Sequence, residues 1–314
     1  MHVSDNFSNE LDVAKSVKTT DATEVMAEVE SIFLNLYPDA RTDSLNIAFR
    51  DATAMYLGQF PGFLPCDTAY HDIQHVLDVT LAMARLLDGY ERSRIGVEPL
   101  NEDLFRLGVV TALFHDIGYL RQLSDKPVIN GAAFTMVHVS RGAQFLRDYL
   151  PQLGMKQYAD VAASLIHFTG YEQQVSKIEV PGLIYRLIGN LLGSADIIAQ
   201  MADRCYLEKC RDRLYPEFVH AGIARRMTAD GTEQVLYASG EDLVLKTPAF
   251  YAGASRRLDV DLNKGYAYAE SHFKGQNLYL DEMNKNLRFV ESMASDPELS
   301  ALRRQPPDPL KSDS

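Results

Sequence analysis

The sequence predicts an all-α protein that forms a single helical domain of about nine to eleven helices. Apolar residues recur at three- and four-residue spacing through most of the chain, as on one face of a helix. Several of these segments open with a residue that commonly caps a helix. The alternation typical of strands is nearly absent, with "TEQVLYAS" as the one weak candidate, and no repeat or low-complexity linker divides the chain.

The first helices are predicted in "DATEVMAEVESIFLNLY", with Asp21 as cap, and in "TDSLNIAFRDATAMYLGQF" and "HDIQHVLDVTLAMARLLDGY". "NEDLFRLGVVTALFHDIG" follows, with Asn101 as N-cap and Gly118 as C-cap. The remaining helical segments are "GAAFTMVHVSRGAQFLRDYL", "MKQYADVAASLIHF", a long run from "PGLIYRLIGN" to "PEFVHAGI" with a break near Tyr215 and Pro216, "SRRLDVDLNKGYAYAESHF" and "NLYLDEMNKNLRFVESMA".

The two ends of the chain are polar, and residues 1–20 and 301–314 are predicted to be mobile. The helical bundle is predicted over residues 21–300. Within it, the motifs considered below occupy about residues 65–210, and residues 211–300 form a C-terminal helical extension.

Composition excludes some partners. The net charge of −12 disfavours a nucleic acid polymer, because proteins that bind phosphate backbones usually carry a basic face. A small anionic ligand remains compatible, since it needs only local positive charge or metal ions. The three cysteines are too few for a disulfide framework, and no signal peptide or membrane-spanning apolar run is visible. We therefore predict a cytoplasmic protein without a membrane partner.

Residues of metal-ligand type recur along the predicted helices. Each lies on or near an apolar stretch, and together they come from five separate segments: His75, His115 with Asp116, His138, His167 and Asp196. Imidazole nitrogen with carboxylate oxygen is a mixture that divalent metals accept. Any one of these histidines alone is better explained as a satisfied core residue. Six residues of metal-ligand type on successive helices favour a metal site instead.

Two of these positions are informative on their own. Neighbouring residues inside a helix point about 100° apart, so His115 and Asp116 can serve one site only if the helix ends there. At a helix end both can turn inward, and the carboxylate can bridge two metal ions. Asp196 lies among Ile188, Leu191 and Ile197, where an unpaired carboxylate is costly. A helix-face aspartate bonded to a neighbouring arginine is the alternative interpretation.

These residues carry a family resemblance. "LFHDIG" resembles the signature of the HD-domain metal-dependent phosphohydrolase superfamily, and the order of His75, His115–Asp116 and Asp196 matches its ligand set. The resemblance covers about residues 65–210. "YHDIQHVLDV" further resembles the YHNxxHxxDV segment of class I cyclic-nucleotide phosphodiesterases, which implies that His71 is a proton donor and His75 a metal ligand.

A second branch of the superfamily is also similar. The stretch from "HDIGY" through "HVSRGAQFL" to "IHFTGYE" resembles the HD-GYP cyclic-dinucleotide phosphodiesterases, which implies that His138 and His167 bind a second metal. The sequence departs from that family at Tyr119, where the family has lysine, and "IHFTGYE" has one histidine and no GYP. These departures count against cyclic di-GMP as substrate and against a third metal.

The resemblance implies a metal-dependent phosphohydrolase, in particular a phosphodiesterase that cleaves a cyclic nucleotide or a related small phosphodiester. Two divalent metal ions are expected, with Fe or Mn favoured and Zn or Mg as alternatives. A hydroxide held between them, next to Asp116, would attack the phosphorus while His71 protonates the leaving alkoxide. Asp72 either orients a ring or is a solvated polar residue. The cations nearest the motifs are Arg121, Lys126 and Arg141. Each is either a candidate for phosphate contact or a plain surface charge.

Two other functions are compatible with parts of the same pattern. The same order of ligands resembles the mixed-valent diiron oxygenases of the HD superfamily, but such an enzyme needs no leaving-group acid at His71. A non-catalytic metal-binding signalling protein is the third reading, and it is disfavoured because all six ligand positions are filled. A homodimer is compatible with the sequence.

Overall fold

The computed structural model describes residues 8–228, 231–296 and 299–308. The helices that precede residue 205 are mostly long: α1 (Ala22–Leu36), α2 (Asp43–Tyr56), α3 (Ile73–Ser93), α4 (Glu102–Leu113), α5 (His138–Tyr149), α6 (Ala159–Leu165) and α7 (Leu183–Ala202). Those that follow are mostly short: α8 (Tyr206–Lys209), α9 (Tyr215–His220), α10 (Gly240–Leu245), α11 (Thr247–Arg256), α12 (Tyr268–His272) and α13 (Leu278–Ser292). The all-α prediction is confirmed.

The described residues contain more helical segments than the nine to eleven predicted, because the chain after α7 is interrupted repeatedly. Two π-helical turns, Cys210–Leu214 and Arg257–Asp261, and several short 3₁₀ turns separate the α-helices. The strand candidate in "TEQVLYAS" forms part of a small antiparallel hairpin of β1 (Arg225–Met227) and β2 (Glu233–Val235). The predicted break at Pro216 is instead the first turn of α9, a position that proline tolerates.

Helix α3 lies at the centre of the bundle. It packs against α1, α4, α7 and α12, and nearly all its residues from Ile73 to Tyr90 are buried. Side chains all around a helix are buried only when neighbours surround it. The site described below is therefore carried by the element with the most tertiary support.

Helix caps explain where the elements that carry the site begin and end. The predicted caps Asp21 and Asn101 are confirmed, since their side chains accept backbone N–H groups of the first turns of α1 and α4. The prediction of Gly118 as a C-cap is wrong, because α4 ends at Leu113 and Gly118 lies in a 3₁₀ turn. A Cβ on Gly118 would stand 1.9 Å from the carbonyl oxygen of His138, so only glycine allows this close approach.

Segments near both ends of the chain pack on the bundle. Val17 is buried, and the carboxylate of Asp12 lies 2.5 Å from Arg85 of α3. Near the other end Leu302 is buried. Residues 8–20 thus contain a buried ion pair and an apolar anchor, and residues 301–308 an apolar anchor, while the mobility predicted for both segments stays a prediction. The rest of those two predictions, at residues 1–7 and 309–314, lies outside the described residues.

The three cysteines, Cys66, Cys205 and Cys210, are buried free thiols. Among the helices that the structure describes, none is long and apolar enough to cross a membrane.

Candidate metal centre

Predicted ligands from three separate elements meet in the interior. His75 lies in the first turn of α3, and His115 and Asp116 follow the end of α4 at Leu113. All three are buried, and their ligand atoms lie within 4.8 Å of one another. Asp196 of α7 faces them from the other side. Because α4 ends two residues before His115, the chain turns and both neighbours point inward, as the sequence predicted for a helix end.

The distances within this cluster resemble those of a coordination shell. Nε2 of His75 and Nε2 of His115 lie 3.3 Å apart. Oδ2 of Asp116 lies 3.3 Å from the first nitrogen and 3.2 Å from the second. Oδ1 of Asp196 lies 3.5 Å from Nε2 of His75. Ligand atoms about 2.1 Å from one ion are separated by about 3.0–3.4 Å in octahedral or tetrahedral geometry.

The hydrogen bonding of the cluster also fits a metal. Nδ1 of His115 donates to the carbonyl oxygen of Ala112 at 2.8 Å, which leaves Nε2 directed at the cluster. Oδ2 of Asp116 is buried and makes no well-oriented hydrogen bond to any residue the structure describes. Burying such an oxygen costs free energy of folding unless another group or ion coordinates it. The donor set of imidazole and carboxylate is one that Fe, Mn and Zn all accept.

Asp116 has its two oxygens directed at different histidines. Oδ2 faces His75 and His115, whereas Oδ1 lies 3.7 Å from Nε2 of His138. Nδ1 of His138 donates to the carbonyl of Thr135 at 2.7 Å, so its Nε2 is again turned toward the carboxylate. Asp116 therefore lies between the His75–His115 pair and His138.

His167 is placed less closely than the other predicted ligands. Its Nδ1 lies 2.6 Å from Oε1 of Glu172, and it makes no ion pair or hydrogen bond with the other five within the described part of the chain. Burial raises the pKa of Glu172, but interactions led by the hydrogen bond with His167 outweigh burial and lower it, and Glu172 lines the same cavity as His138. The structure therefore brings His75, His115, Asp116, Asp196 and His138 together and leaves His167 at the edge of the group.

The charges of the cluster are strongly coupled. Burial raises the pKa of Asp116, but the adjacent His115 outweighs burial and holds that pKa well below its usual range. Burial lowers the pKa of His115, but Asp116 raises it to about 9. Burial lowers the pKa of His138, which favours the neutral ring that binds metals.

His71 lies beside this cluster with a carboxylate partner that the motifs did not predict. Its Nδ1 is 2.6 Å from Oε2 of Glu217, whose other oxygen accepts the backbone N–H of Tyr70 at 2.6 Å. Burial lowers the pKa of His71, and Glu217 more than offsets this, so the pKa lies above its usual value. Glu217 is 146 positions away in sequence, on α9, and no motif marks it.

Tyr119 is a second residue whose structural place was not anticipated. Its ring stacks between His71, at 4.2 Å between centroids, and His138, at 4.3 Å. It therefore fixes the planes of both imidazoles at once. The aromatic residue directly after "HDIG" was visible in the sequence only as the replacement of a lysine.

The predicted phosphate-contacting cations are engaged elsewhere. Arg141 donates to both oxygens of Asp125 and to two backbone carbonyls, and its guanidinium covers the ring of Phe134. Arg121 pairs with Asp67 at 2.6 Å. Neither of them, nor the exposed Lys126, lines the cavity that holds the site. Helical spacing placed Arg141 near His138 but did not reveal which way its side chain turns.

A cavity of about 410 Å³ opens onto the cluster. One end of it is formed by His71, His75, Asp116, His138 and Asp196. Its other walls are largely aromatic or aliphatic and include Met136, Tyr171, Phe218, Tyr237 and Phe250. A small phosphate ester therefore has room beside the candidate ligands.

The fold and the site define an all-α protein with a fold similar to that of a phosphodiesterase domain and a buried His/His/Asp cluster able to hold a metal ion. The chain is similar in structure to the phosphodiesterase domain of the RhoPDE fusion protein from the choanoflagellate Salpingoeca rosetta, with a TM-score of 0.55 and 14% sequence identity. The match covers 94% of this chain and 98% of that domain, and at this identity it shows the fold alone. No protein-family model and no curated protein matches the sequence.

Proposed function

We propose that the protein is a metal-dependent phosphodiesterase that hydrolyses a cyclic nucleotide or a related small phosphodiester. One observation carries the proposal: a carboxylate-backed histidine, His71, shares a cavity with a buried His/Asp cluster of metal-ligand geometry. Ligands alone fit many metal chemistries. A positioned proton donor beside them is what ester hydrolysis requires when the leaving group is an alkoxide.

The residues divide into two ligand groups. His75, His115, Asp196 and Oδ2 of Asp116 would hold one ion, and Oδ1 of Asp116 with His138 would hold a second. His167 would join the second group after a change in its contact with Glu172. Divalent ions bound there would neutralise phosphate oxygens and supply a nucleophile at neutral pH.

His71 would deliver the proton. Glu217 accepts the hydrogen on Nδ1, which fixes the ring orientation and leaves Nε2 as the nitrogen that donates to the leaving oxygen. Tyr119, stacked on the ring, restricts its rotation. The raised pKa of His71 favours the protonated form that a general acid needs before the bond breaks.

The His71–Glu217 pair also argues against the oxygenase and against the non-catalytic metal protein. An oxygenase has no leaving alkoxide to protonate, so it gives the fixed His71–Glu217 pair no leaving-group role. A non-catalytic metal protein would need neither the pair nor the cavity beside it. We expect iron or manganese to support activity, with zinc and magnesium as weaker alternatives.

A comparison of His71→Ala with His75→Ala tests the proposal, because these residues lie one turn apart and would fail differently. The protein is purified without oxygen, its metals are measured, and it is assayed on cyclic nucleotides, cyclic dinucleotides and p-nitrophenyl esters. His75→Ala should lose metal and activity together. His71→Ala should keep its metal and lose about 10²–10⁴ in turnover.

The loss in His71→Ala should shrink for esters of p-nitrophenolate, which departs without a proton. Equal losses for good and poor leaving groups, with metal intact, would refute the acid role. If the metal-loaded wild-type protein hydrolyses no ester in the panel, the phosphodiesterase proposal itself fails.

A further inference from the structure

The beginning of α3 is held by two side chains from one short segment. Glu217 binds His71 and the backbone of Tyr70, as described above. Arg213, four residues earlier, donates from its NH1 group to Oδ2 of Asp72 at 3.2 Å. Asp72 is the N-cap of α3, and its Oδ1 accepts the backbone N–H of His75 at 3.0 Å. One carboxylate thus links Arg213 to the first turn of the helix that carries the metal ligand.

The guanidinium of Arg213 is also held on its other side. Its NH2 group donates to the carbonyl oxygens of Pro306, at 3.1 Å, and of Pro307. Those carbonyls belong to residues 299–308, which we call the C-terminal strap. The strap is fastened independently, because Leu302 is buried and Arg304 donates to the carbonyl oxygen of Arg204 at 2.5 Å.

This arrangement fixes a flexible side chain from two directions. The Arg213 side chain is 15% exposed and that of Asp72 only 4%, so the charged contact is largely shielded from water. Arginine suits the position because its planar group donates in two directions at once. Without Arg213, the Asp72 carboxylate would lose its direct cation, and Lys209 would remain as a nearby charge.

His71 depends on this cap because it directly precedes it. The residue lies outside α3, and its carbonyl oxygen accepts from Thr68 Oγ1 at 3.0 Å. A shift of Asp72 therefore moves the backbone of His71 relative to Glu217. A mutation far from the reacting groups that misplaces a catalytic group by about 1 Å can reduce turnover by about 10²-fold.

We propose that Arg213 is a positioning residue for the proton donor His71, and that the C-terminal strap keeps Arg213 on Asp72. The inference rests on the proposed function for its catalytic consequence, but its structural consequence can be measured without any substrate. Arg213 does not line the cavity and acts only through Asp72.

Arg213→Gln, in the full-length metal-loaded protein, is the main variant. Arg211→Gln is the matched control, because Arg211 lies on the same turn and reaches the carbonyl of Leu302, but its other partner is Asp212 rather than Asp72. Arg213→Lys keeps the charge without the two-sided donor geometry. A chain shortened to end at Arg304 removes the carbonyls of Pro306 and Pro307 and keeps Leu302.

The first readout is amide hydrogen exchange. Arg213→Gln should accelerate exchange of the His75 amide, which the Asp72 cap protects, while Arg211→Gln leaves it unchanged. The shortened chain and Arg213→Lys should give smaller increases. An unchanged His75 amide in Arg213→Gln would overturn the proposal even if the wild-type protein hydrolysed no ester.

The second readout is turnover. Arg213→Gln should lower kcat by about 3- to 100-fold for a poor leaving group, less for p-nitrophenolate, with KM and metal content nearly constant. Shortening the chain should reduce kcat in the wild-type background and add nothing in the Arg213→Gln background. Independent, multiplicative losses would show that the strap does not act through Arg213 and would overturn that part of the proposal.

Discussion

Helix α3 contributes to two buried groups of ionisable side chains, which differ in how their polar atoms are paired. In its middle, Arg85 donates to Oδ2 of Asp12 at 2.5 Å and to the hydroxyl of Tyr279 at 3.2 Å. Oδ1 of Asp12 accepts two backbone N–H groups. In its first turn, by contrast, His75 faces another imidazole and two carboxylates across gaps of 3.3–3.5 Å.

The difference separates a structural ion pair from a ligand site. Asp12 and Arg85 neutralise each other, so their burial needs no further charge, even though Nε of Arg85 has no partner among the described residues. Around His75 the lone pairs converge, and Oδ2 of Asp116 has no well-oriented donor among the described residues. A cluster that is complete only with an added cation points to a metal. His75, His115 and Asp116 are buried like Asp12 and Arg85, and only Asp196 is partly exposed, so burial alone would not distinguish the two groups.

Replacement of Asp116 should have the largest effect, because its two oxygens face both ligand groups. Asp116→Ala should lose metal from both positions and more activity than the roughly 10²–10⁴ expected for loss of the proton donor. Metal analysis after reconstitution provides the measurement. His138→Ala is the matched control and should lose one ion of two, since it contacts only Oδ1. Equal metal content in the two variants would contradict a bridging role.

Asp12→Ala should damage stability instead of metal binding. It leaves the Arg85 guanidinium buried without its carboxylate, which costs about 3–5 kcal/mol in the free energy of unfolding. Denaturant unfolding measures the loss, and metal content should remain at the wild-type level. Asp160→Ala removes the exposed partner of Arg147 and should leave the unfolding curve unchanged. Loss of metal in Asp12→Ala would break the distinction between the two groups.

The sequence was sufficient for the parts of the site that local patterns determine. Helical periodicity predicted the fold class, and the need for His115 and Asp116 to face one site indicated a helix end near them, which the structure places earlier than the predicted cap at Gly118. Asp21 and Asn101 were predicted as caps because capping uses residues only two or three positions apart.

Long-range partners were beyond local patterns. Glu217 meets His71 only because α9 folds back onto the start of α3, and the contact of Arg213 with Asp72 depends on the same long-range packing. The candidate phosphate-contacting cations illustrate the converse limit of sequence spacing. Arg141 lies one turn from His138, but its side chain is turned to Asp125 by contacts that sequence spacing does not encode.

Removal of metal should lower the melting temperature by several degrees. The ligands come from α3, α5, α7 and the turn after α4, so bound metal links elements that otherwise meet only through packing. Thermal melts before and after chelation measure the effect, and restoring metal should reverse it. The Asp12→Ala variant should show the same chelation shift as wild type, because its defect lies in the other group. An unchanged melt after verified removal would mean that the cluster does not depend on metal.

The smallest expected effect is a pH dependence of the fold's stability, which the His75 cluster should show and the Asp12–Arg85 pair should not. In the metal-free protein the pKa of His115 is about 9, above the roughly 6.5 of an unfolded histidine. Its protonated form therefore stabilises the fold fully below about pH 6.5, and this contribution is lost as pH rises through about 9. The pKa of Asp12 is lowered, so its contribution is constant there and is lost only in acid.

Metal-free protein should accordingly melt at a lower temperature at pH 9 than at pH 6.5, whereas the penalty of Asp12→Ala should be the same at both. Metal binding should strengthen over the same interval, because His115 must lose its proton to offer Nε2. Calorimetric titration in buffers of different ionisation enthalpy at pH 7.5 should find about one proton released from His115. If metal uptake releases no proton, His115 is already neutral, and the Asp116 pairing that raises its pKa does not hold in solution.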